Sequence, residues 1–463
     1  MVARRHRPKT GPMSEHEAAL KRAHDHATGW LASLSDRPVP PQVGVDAVAE
    51  SLGRVLPGSG SPAEAVVDLL ASACEPGLTA MPSGRFFGFV IGGSHPAALA
   101  ADWLVSAWDQ NAAMNQVTPA TAAVEEVAGD WLLDLLGLPA DGAVGFATGA
   151  TTANFTAVVA ARDALLRRAG WDVARGLAGG PAVRVLAGRE RHDSVDLALR
   201  YAGLPAPELL DVDAQGQMVP DALRAALERS PGVPTLVALQ AGNLHSGGSD
   251  PFAQCVPLAH EHGAWVHVDG AFGLWAAASP AYRRLVTGVE EADSWATDAH
   301  KTLNVPYDCG IVVVRDPAAL TAAMSLHGDY LIQDDTDPFG RVPEMSRRAR
   351  GVPVWAVLRA LGRSGVAAMI EQMCRHARRF AEAIEQLDGA SVVNDVVFTQ
   401  VCATFGDDAR TRDVVTRMLA DGTAWTTGSR WRDRAVLRIS VSNASTTDED
   451  VERTIEALRR AAG

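Results

Sequence analysis

Six short apolar runs, at 143–147, 183–187, 235–240, 264–268, 293–297 and 310–314, recur through the middle of the chain, and several are followed by small residues and then helical stretches. Runs this short and this apolar suit strands covered on both faces, and the intervals 152–168 and 219–229 are long enough for crossover helices. The alternation predicts an α/β fold with a mostly parallel central sheet and helices on both faces. Such sheets bind ligands where strands end and loops begin, which singles out Gly149, Gly242 and Asp269.

The flanking segments have a different texture. Residues 15–34 pattern as an amphipathic helix, Pro38, Pro40 and Pro41 then force an extended connection, and 63–73 reads as a second short helix. These pieces are too small to bury a core alone, so residues 1–95 are expected to form a helical arm packed on the main body or on another subunit. Residues 96–136 are nearly all helix-forming, with Pro119 at a start and Gly137 at a stop. They open the large α/β domain, 96–345. Helices over 352–361 and 365–387, strands within 392–404 and 435–441 and a last helix over 448–461 then predict a smaller α+β domain, 346–463.

Composition narrows the partners. Asp and Glu number 55 against 42 Lys and Arg, and the net charge of −13 opposes non-specific binding to nucleic acid or to an anionic membrane. Five scattered cysteines, 74, 255, 309, 374 and 402, lack any C-x-x-C spacing. That argues against a disulfide framework or a structural zinc site and for a reducing compartment. With no signal-like apolar segment and no run long enough to span a bilayer, the chain reads as cytoplasmic.

Four local patterns carry chemistry. Lys301, in Asp298-Ala299-His300-Lys301, lies between two apolar runs, and burial or a nearby cation there would free its amine to form an imine. Asp269 follows the run 264–268, where a carboxylate can pair with a cationic ring nitrogen and keep it protonated. The small-residue turn through Thr148, Gly149, Ala150 and Thr151, between strand and helix, offers backbone N–H groups to a dianionic phosphate. His192 follows the run 183–187 and can stack on a flat conjugated ring. Singly these are also a surface lysine, a turn aspartate, a helix cap and a structural histidine. Their ordered occurrence at strand ends makes coincidence implausible.

The set resembles the pyridoxal-phosphate-dependent group II amino-acid decarboxylases of the aspartate-aminotransferase fold superfamily, fold type I. The likeness spans about residues 82–453 and is carried by Arg85-Phe86-Phe87-Gly88-Phe89, Thr148 to Asn154, His192-Asp193-Ser194, Ala241-Gly242-Asn243, His267-Val268-Asp269, Asp298 to Lys301 and Leu437-Arg438-Ile439-Ser440-Val441. It implies pyridoxal 5'-phosphate as cofactor, an L-amino acid as substrate, and release of carbon dioxide and the amine. The alternatives are oxidative decarboxylation-deamination to an aldehyde, another lyase reaction, or a non-catalytic subunit of the same fold.

By the same resemblance Lys301 holds the cofactor covalently, Asp269 partners the ring nitrogen and His192 stacks on the ring. Gly149, Ala150, Thr151 and His300 take the phosphate, while Asn243 and Ser246 cover the cofactor's hydroxyl face. Tyr330 is the candidate proton donor. Phe87 and Arg438 are candidate substrate contacts, Arg438 for the carboxylate or else for a salt bridge at the core edge. The resemblance also implies a homodimer with the sites near the subunit boundary. Two departures stand out: Ser83-Gly84-Arg85 replaces the family's histidine-proline, and Ala444-Ser445 replaces the tryptophan and arginine that several relatives carry after the asparagine.

Overall fold

The computed structural model describes residues 14–325 and 337–463. Its centre is a seven-stranded sheet of β1 (Ala143–Ala147), β2 (Arg184–Gly188), β3 (Glu208–Leu210), β4 (Thr235–Gln240), β5 (Trp265–Asp269), β6 (Ser294–Asp298) and β7 (Gly310–Val314). The order is β1-β7-β6-β5-β4-β2-β3, and only β7 runs against its neighbours. Side chains alternate between faces along each strand. Val237 and Leu239 of β4 therefore join one apolar cluster and Leu236 and Ala238 the other. Both faces are covered, so most of these strand residues are buried, and the polar ones such as His267, Asp269 and Asp298 are held by hydrogen bonds.

The helix Ala150–Arg168 covers one face and buries most of its residues. Its start is pressed against the sheet: a Cβ at Gly310 would overlap the backbone of Gly149, so this approach requires glycine. On the other face lie Pro119–Leu136, ended by Gly137 at φ 68°, and the long helix Gly351–Ile384. That helix breaks at Gly362, φ 61°, between the two helices expected from the sequence.

The smaller sheet is antiparallel, β10-β11-β9-β8, built from β8 (Ala390–Val392), β9 (Gln400–Phe405), β10 (Thr427–Trp431) and β11 (Arg434–Ser440). The expected strand region 392–404 is divided. Asn394 turns inward, donates to the Ser246 and Gln400 carbonyls and accepts from the Cys402 N–H, so the intervening residues serve side-chain bonds rather than a ladder. The β10–β11 hairpin, absent from the sequence reading, turns at Arg432 and Asp433, both at positive φ without glycine.

The N-terminal helices Glu15–Ala32 and Val45–Leu52 bury no residue, and Ala63–Cys74 buries only Ala73. Arg85, replacing the expected histidine-proline, fastens this arm. Its guanidinium is buried and donates to the carbonyls of Leu34, Ser35, Arg37 and Thr423.

Candidate functional site

The ends of β1, β2, β4, β5 and β6 converge on a cavity of about 380 Å³. Sheet register explains the meeting: Gln240 of β4 pairs with Asp269 of β5, Asp269 with Ala296 of β6, and Asp298 of β6 with Gly310 of β7. Gly149, Ala150, Thr151, His192, Asp269, His300, Lys301 and Arg438 all line it, as the sequence predicts.

Asp298 organises the lysine side. Its buried carboxylate accepts from the Ala150 N–H at 2.6 Å and lies 2.8 Å from Lys301 Nζ. Sequence reasoning gave Asp298 no role, although its place three residues before Lys301, at a strand end, was the available signal. His300 Nδ1 accepts the Cys309 N–H, so Nε2 carries the proton and faces Asp298 at 3.5 Å. Burial lowers the His300 pKa, which favours the neutral ring. Tyr307, another residue the sequence did not flag, lies over that ring with centroids 4.4 Å apart.

Asp269, 3% exposed, accepts from the Ala271 N–H and from Ser194 Oγ. Ser194 also bonds His192 Nδ1 at 2.8 Å, and Gln240 Oε1 accepts the His192 N–H, so the histidine at the cavity mouth is held from two sides. Behind Ser194, Asn154 bonds His267, whose pKa burial lowers to about 4. His267 is thus neutral, donating from Nε2 to Asn154 and accepting Ser294 Oγ at Nδ1.

The opposite wall comes from residues 89–91 and β11. Phe89 sits at φ 56°, strained for a non-glycine residue, and its ring is half exposed to the cavity. Arg438 is 4% exposed, donates weakly to the Phe89 carbonyl and Ser440 Oγ, and leaves Nε without a partner among the described residues. No carboxylate among the described residues pairs with it, so the salt bridge considered as its alternative role is not formed.

Three expected contacts are not on the cavity. Phe87 points the other way from Phe89, into the core against Phe380 at 4.9 Å. Asn243 and Ser246 are buried in their own turn. Asn243 Oδ1 accepts the His245 and Ser246 N–H groups, and Ser246 Oγ donates to the Gln215 carbonyl. Asn243 Nδ2 donates to the Glu190 carbonyl, so both side chains spend their polar atoms on protein partners, while Gly242 and Leu244 face the cavity. Tyr330 lies outside the described residues.

A fold of this topology with a lysine, an aspartate and a helix start on one cavity is that of a pyridoxal-phosphate enzyme of fold type I. The pyridoxal-dependent decarboxylase conserved domain matches residues 51–405, and the chain belongs to that family. Tryptophan decarboxylase 1 of Oryza sativa subsp. japonica is 29% identical over 95% of this chain and 92% of its own. The Arabidopsis thaliana phenylacetaldehyde synthase is 25% identical over 95% and 94%. The crystal structure of Oryza sativa TDC with PLP and tryptamine aligns with a TM-score of 0.90 at 26% identity, covering 98% of this chain and 99% of that one. The protein is a pyridoxal-phosphate-dependent carbon–carbon lyase that decarboxylates an amino acid to the amine.

The residues present fit the cofactor. Of the N–H groups opening the helix Ala150–Arg168, that of Ala150 meets Asp298, while those of Thr151 and Thr152 have no protein acceptor among the described residues. These donors, the Lys301 amine and the Asp269 carboxylate supply an anion site, a nucleophile and a partner for a cationic ring nitrogen.

Proposed function

We propose that the substrate is an L-amino acid with an aromatic or large apolar side chain, and that its carboxylate is taken by Arg438. The observation that carries this reading is the buried guanidinium with a free Nε on the cavity that also holds Lys301. A buried cation without an acidic partner is costly, and a ligand carboxylate relieves that cost. Phe89, Val90, Ile91, Leu244 and Phe272 give the side chain an apolar wall. The tryptophan decarboxylase relative agrees with this substrate class.

Each residue then has a task. Pyridoxal phosphate, when bound, supplies the electron sink for the pair left as carbon dioxide departs. Lys301 is the covalent attachment point, and Asp298 holds its amine. Gly149, Ala150 and Thr151 bind the phosphate through the helix start, with His300 beside them. Asp269 keeps the proton on the ring nitrogen. His192 would cover the ring, and with Nδ1 engaged by Ser194 its Nε2 is left to hold or move a proton. Arg438 would hold and orient the substrate carboxylate on the cavity it shares with Lys301. Tyr330 is retained as the proton donor.

The working unit in this reading is a cytoplasmic homodimer, divided within each chain at 95/96 and 345/346. Exposed Val66, Leu69 and Leu70 on an arm with almost no core support burial by a second copy. Unpaired cysteines, four of them buried, suit a reducing compartment. The division is supported by the change from the seven-stranded to the four-stranded sheet.

A screen of the cofactor-loaded protein against proteinogenic and related amino acids, reading carbon dioxide and product mass together, tests the substrate. Amine from an aromatic acid supports it; turnover restricted to acidic or small substrates overturns it. An aldehyde with ammonia would instead favour the chemistry named for the phenylacetaldehyde synthase relative. Sedimentation of the loaded protein tests the dimer, which an active monomer would rule out.

A further inference from the structure

The turn after Lys301 ends at Asn304, which is 1% exposed and sits at φ 57°, a conformation asparagine tolerates better than most residues. Its side-chain amide serves three separate stretches of chain. Oδ1 accepts the Gly93 N–H and the Ala444 N–H, each at 2.9 Å. Nδ2 donates to the carbonyls of Ser442 and Thr302 at 2.9 Å and of Lys301 at 3.2 Å. The main chain adds to this: the Asn304 N–H bonds the Lys301 carbonyl, and the Asn304 carbonyl accepts the His95 N–H at 2.8 Å.

Each stretch leads to a wall of the cavity. Gly93 follows residues 89–91, which line it, and Ser442 and Ala444 follow β11, which holds Arg438. The packing leaves little slack. A Cβ at Gly92 would overlap the Lys301 carbonyl oxygen, and one at Gly93 would overlap Asn443 Oδ1. Arg438 in turn donates to the Phe89 carbonyl, which closes the loop between β11 and residues 89–91.

We propose that Asn304 is a positioning residue that sets the spacing between Lys301 and the two substrate-facing walls, residues 89–91 and Arg438. It touches neither substrate nor cofactor. It fixes the backbone from which Lys301 projects and ties that backbone to the elements that hold the substrate's carboxylate and side chain. The proposal deepens the reading given above and rests on its roles for Lys301 and Arg438.

The test compares cofactor-loaded wild type, Asn304→Gly, Arg438→Lys and the double variant. Glycine keeps the positive φ and deletes the amide; Asn304→Asp is the second variant, keeping the acceptor while losing both donors. Borohydride reduction and peptide mapping of the wild type come first, and cofactor found elsewhere than Lys301 refutes the underlying reading rather than this one. With Lys301 labelled, Asn304→Gly is expected to retain bound cofactor with a shifted absorbance band. Its kcat/KM should fall by about tenfold to a hundredfold, mainly through KM, the size expected when a distant change misplaces bound groups. The Arg438→Lys penalty should be several-fold smaller in the Asn304→Gly background than in wild type, since the arginine is then already out of place. Additive penalties, or an activity loss that merely follows a lower melting temperature with an unchanged absorbance band, would overturn the proposal. If Asn304→Gly does not fold, the same comparison with Asn304→Asp decides it by the same two outcomes.

Discussion

The floor of the cavity and its wall are built differently. On the floor, Asp269 and Asp298 are almost fully buried at the ends of paired strands, and each accepts from a nearby main-chain N–H. On the wall, Phe89 is half exposed, and Arg438 makes only two long bonds. Side chains fixed by a sheet can hold charge where chemistry needs it. A looser apolar wall with one underused cation can select a substrate instead. The contrast predicts that floor variants lose turnover, whereas wall variants change affinity and preference.

The largest effect should come from the floor. Asp269→Asn preserves shape but removes the charge beside the ring nitrogen, so the cofactor should still bind while kcat falls by about a hundredfold to a thousandfold, the range for loss of a preorganised electrostatic partner. Near-normal kcat/KM at saturating cofactor would remove Asp269 from the electron sink.

Next comes the network under the floor. Burial holds His267 near a pKa of about 4, below the usual 6.5. Between those values the unfolded chain binds the proton and the folded chain does not. Stability is therefore present above about pH 6.5 and is lost as pH falls toward 4, by up to about 3 kcal/mol. His267→Gln should flatten denaturant-measured stability across that window relative to wild type. His245, also lowered to about 4, keeps its own share in both proteins. Parallel pH curves would show that His267 does not titrate as proposed.

On the wall, Arg438→Met should cost about tenfold to a hundredfold in kcat/KM, the scale of a hydrogen bond to a charged group, with KM carrying most of it. A loss confined to kcat would make Arg438 part of the floor and break the contrast. The smallest effect is expected at Phe89. Phe89→Gly relieves the positive φ and deletes the ring, so stability should hold or rise while the preference for aromatic over small substrates falls by about tenfold, the scale of a modest hydrophobic contact. Unchanged selectivity would place the specificity elsewhere.

Much of the floor was legible in sequence because each of its parts is local. Asp269 directly follows the run 264–268, the run 143–147 leads into a small-residue helix start, and Lys301 follows a strand by three residues. Six of the seven central strands match the sequence reading to within a residue, because burial on both faces shapes their runs; β3, a three-residue edge strand with only Leu210 buried, was missed because it carries no apolar run. The wall was harder to read. Phe87 and Phe89 stand two apart in sequence, and only the tertiary structure decides that the first meets Phe380 while a turn with positive φ at the second puts its ring on the cavity. Asn243 and Ser246 are on the right loop, yet their polar atoms satisfy that loop and the neighbouring Glu190 and Gln215 carbonyls instead of facing the cavity.

The sequence by itself determined the α/β alternation, the family and the short motifs around Gly149, Asp269 and Lys301 that meet at the cavity, since periodicity and contiguous motifs are written within a few turns of chain. The tertiary structure decided that Arg438 would lack an acidic partner among the described residues, that Arg85 would fasten the N-terminal arm, and that Asn304 would join residues 93, 301, 442 and 444. These contacts link residues far apart in the chain, and whether a buried polar atom finds a partner depends on how separate segments pack, which no local pattern encodes.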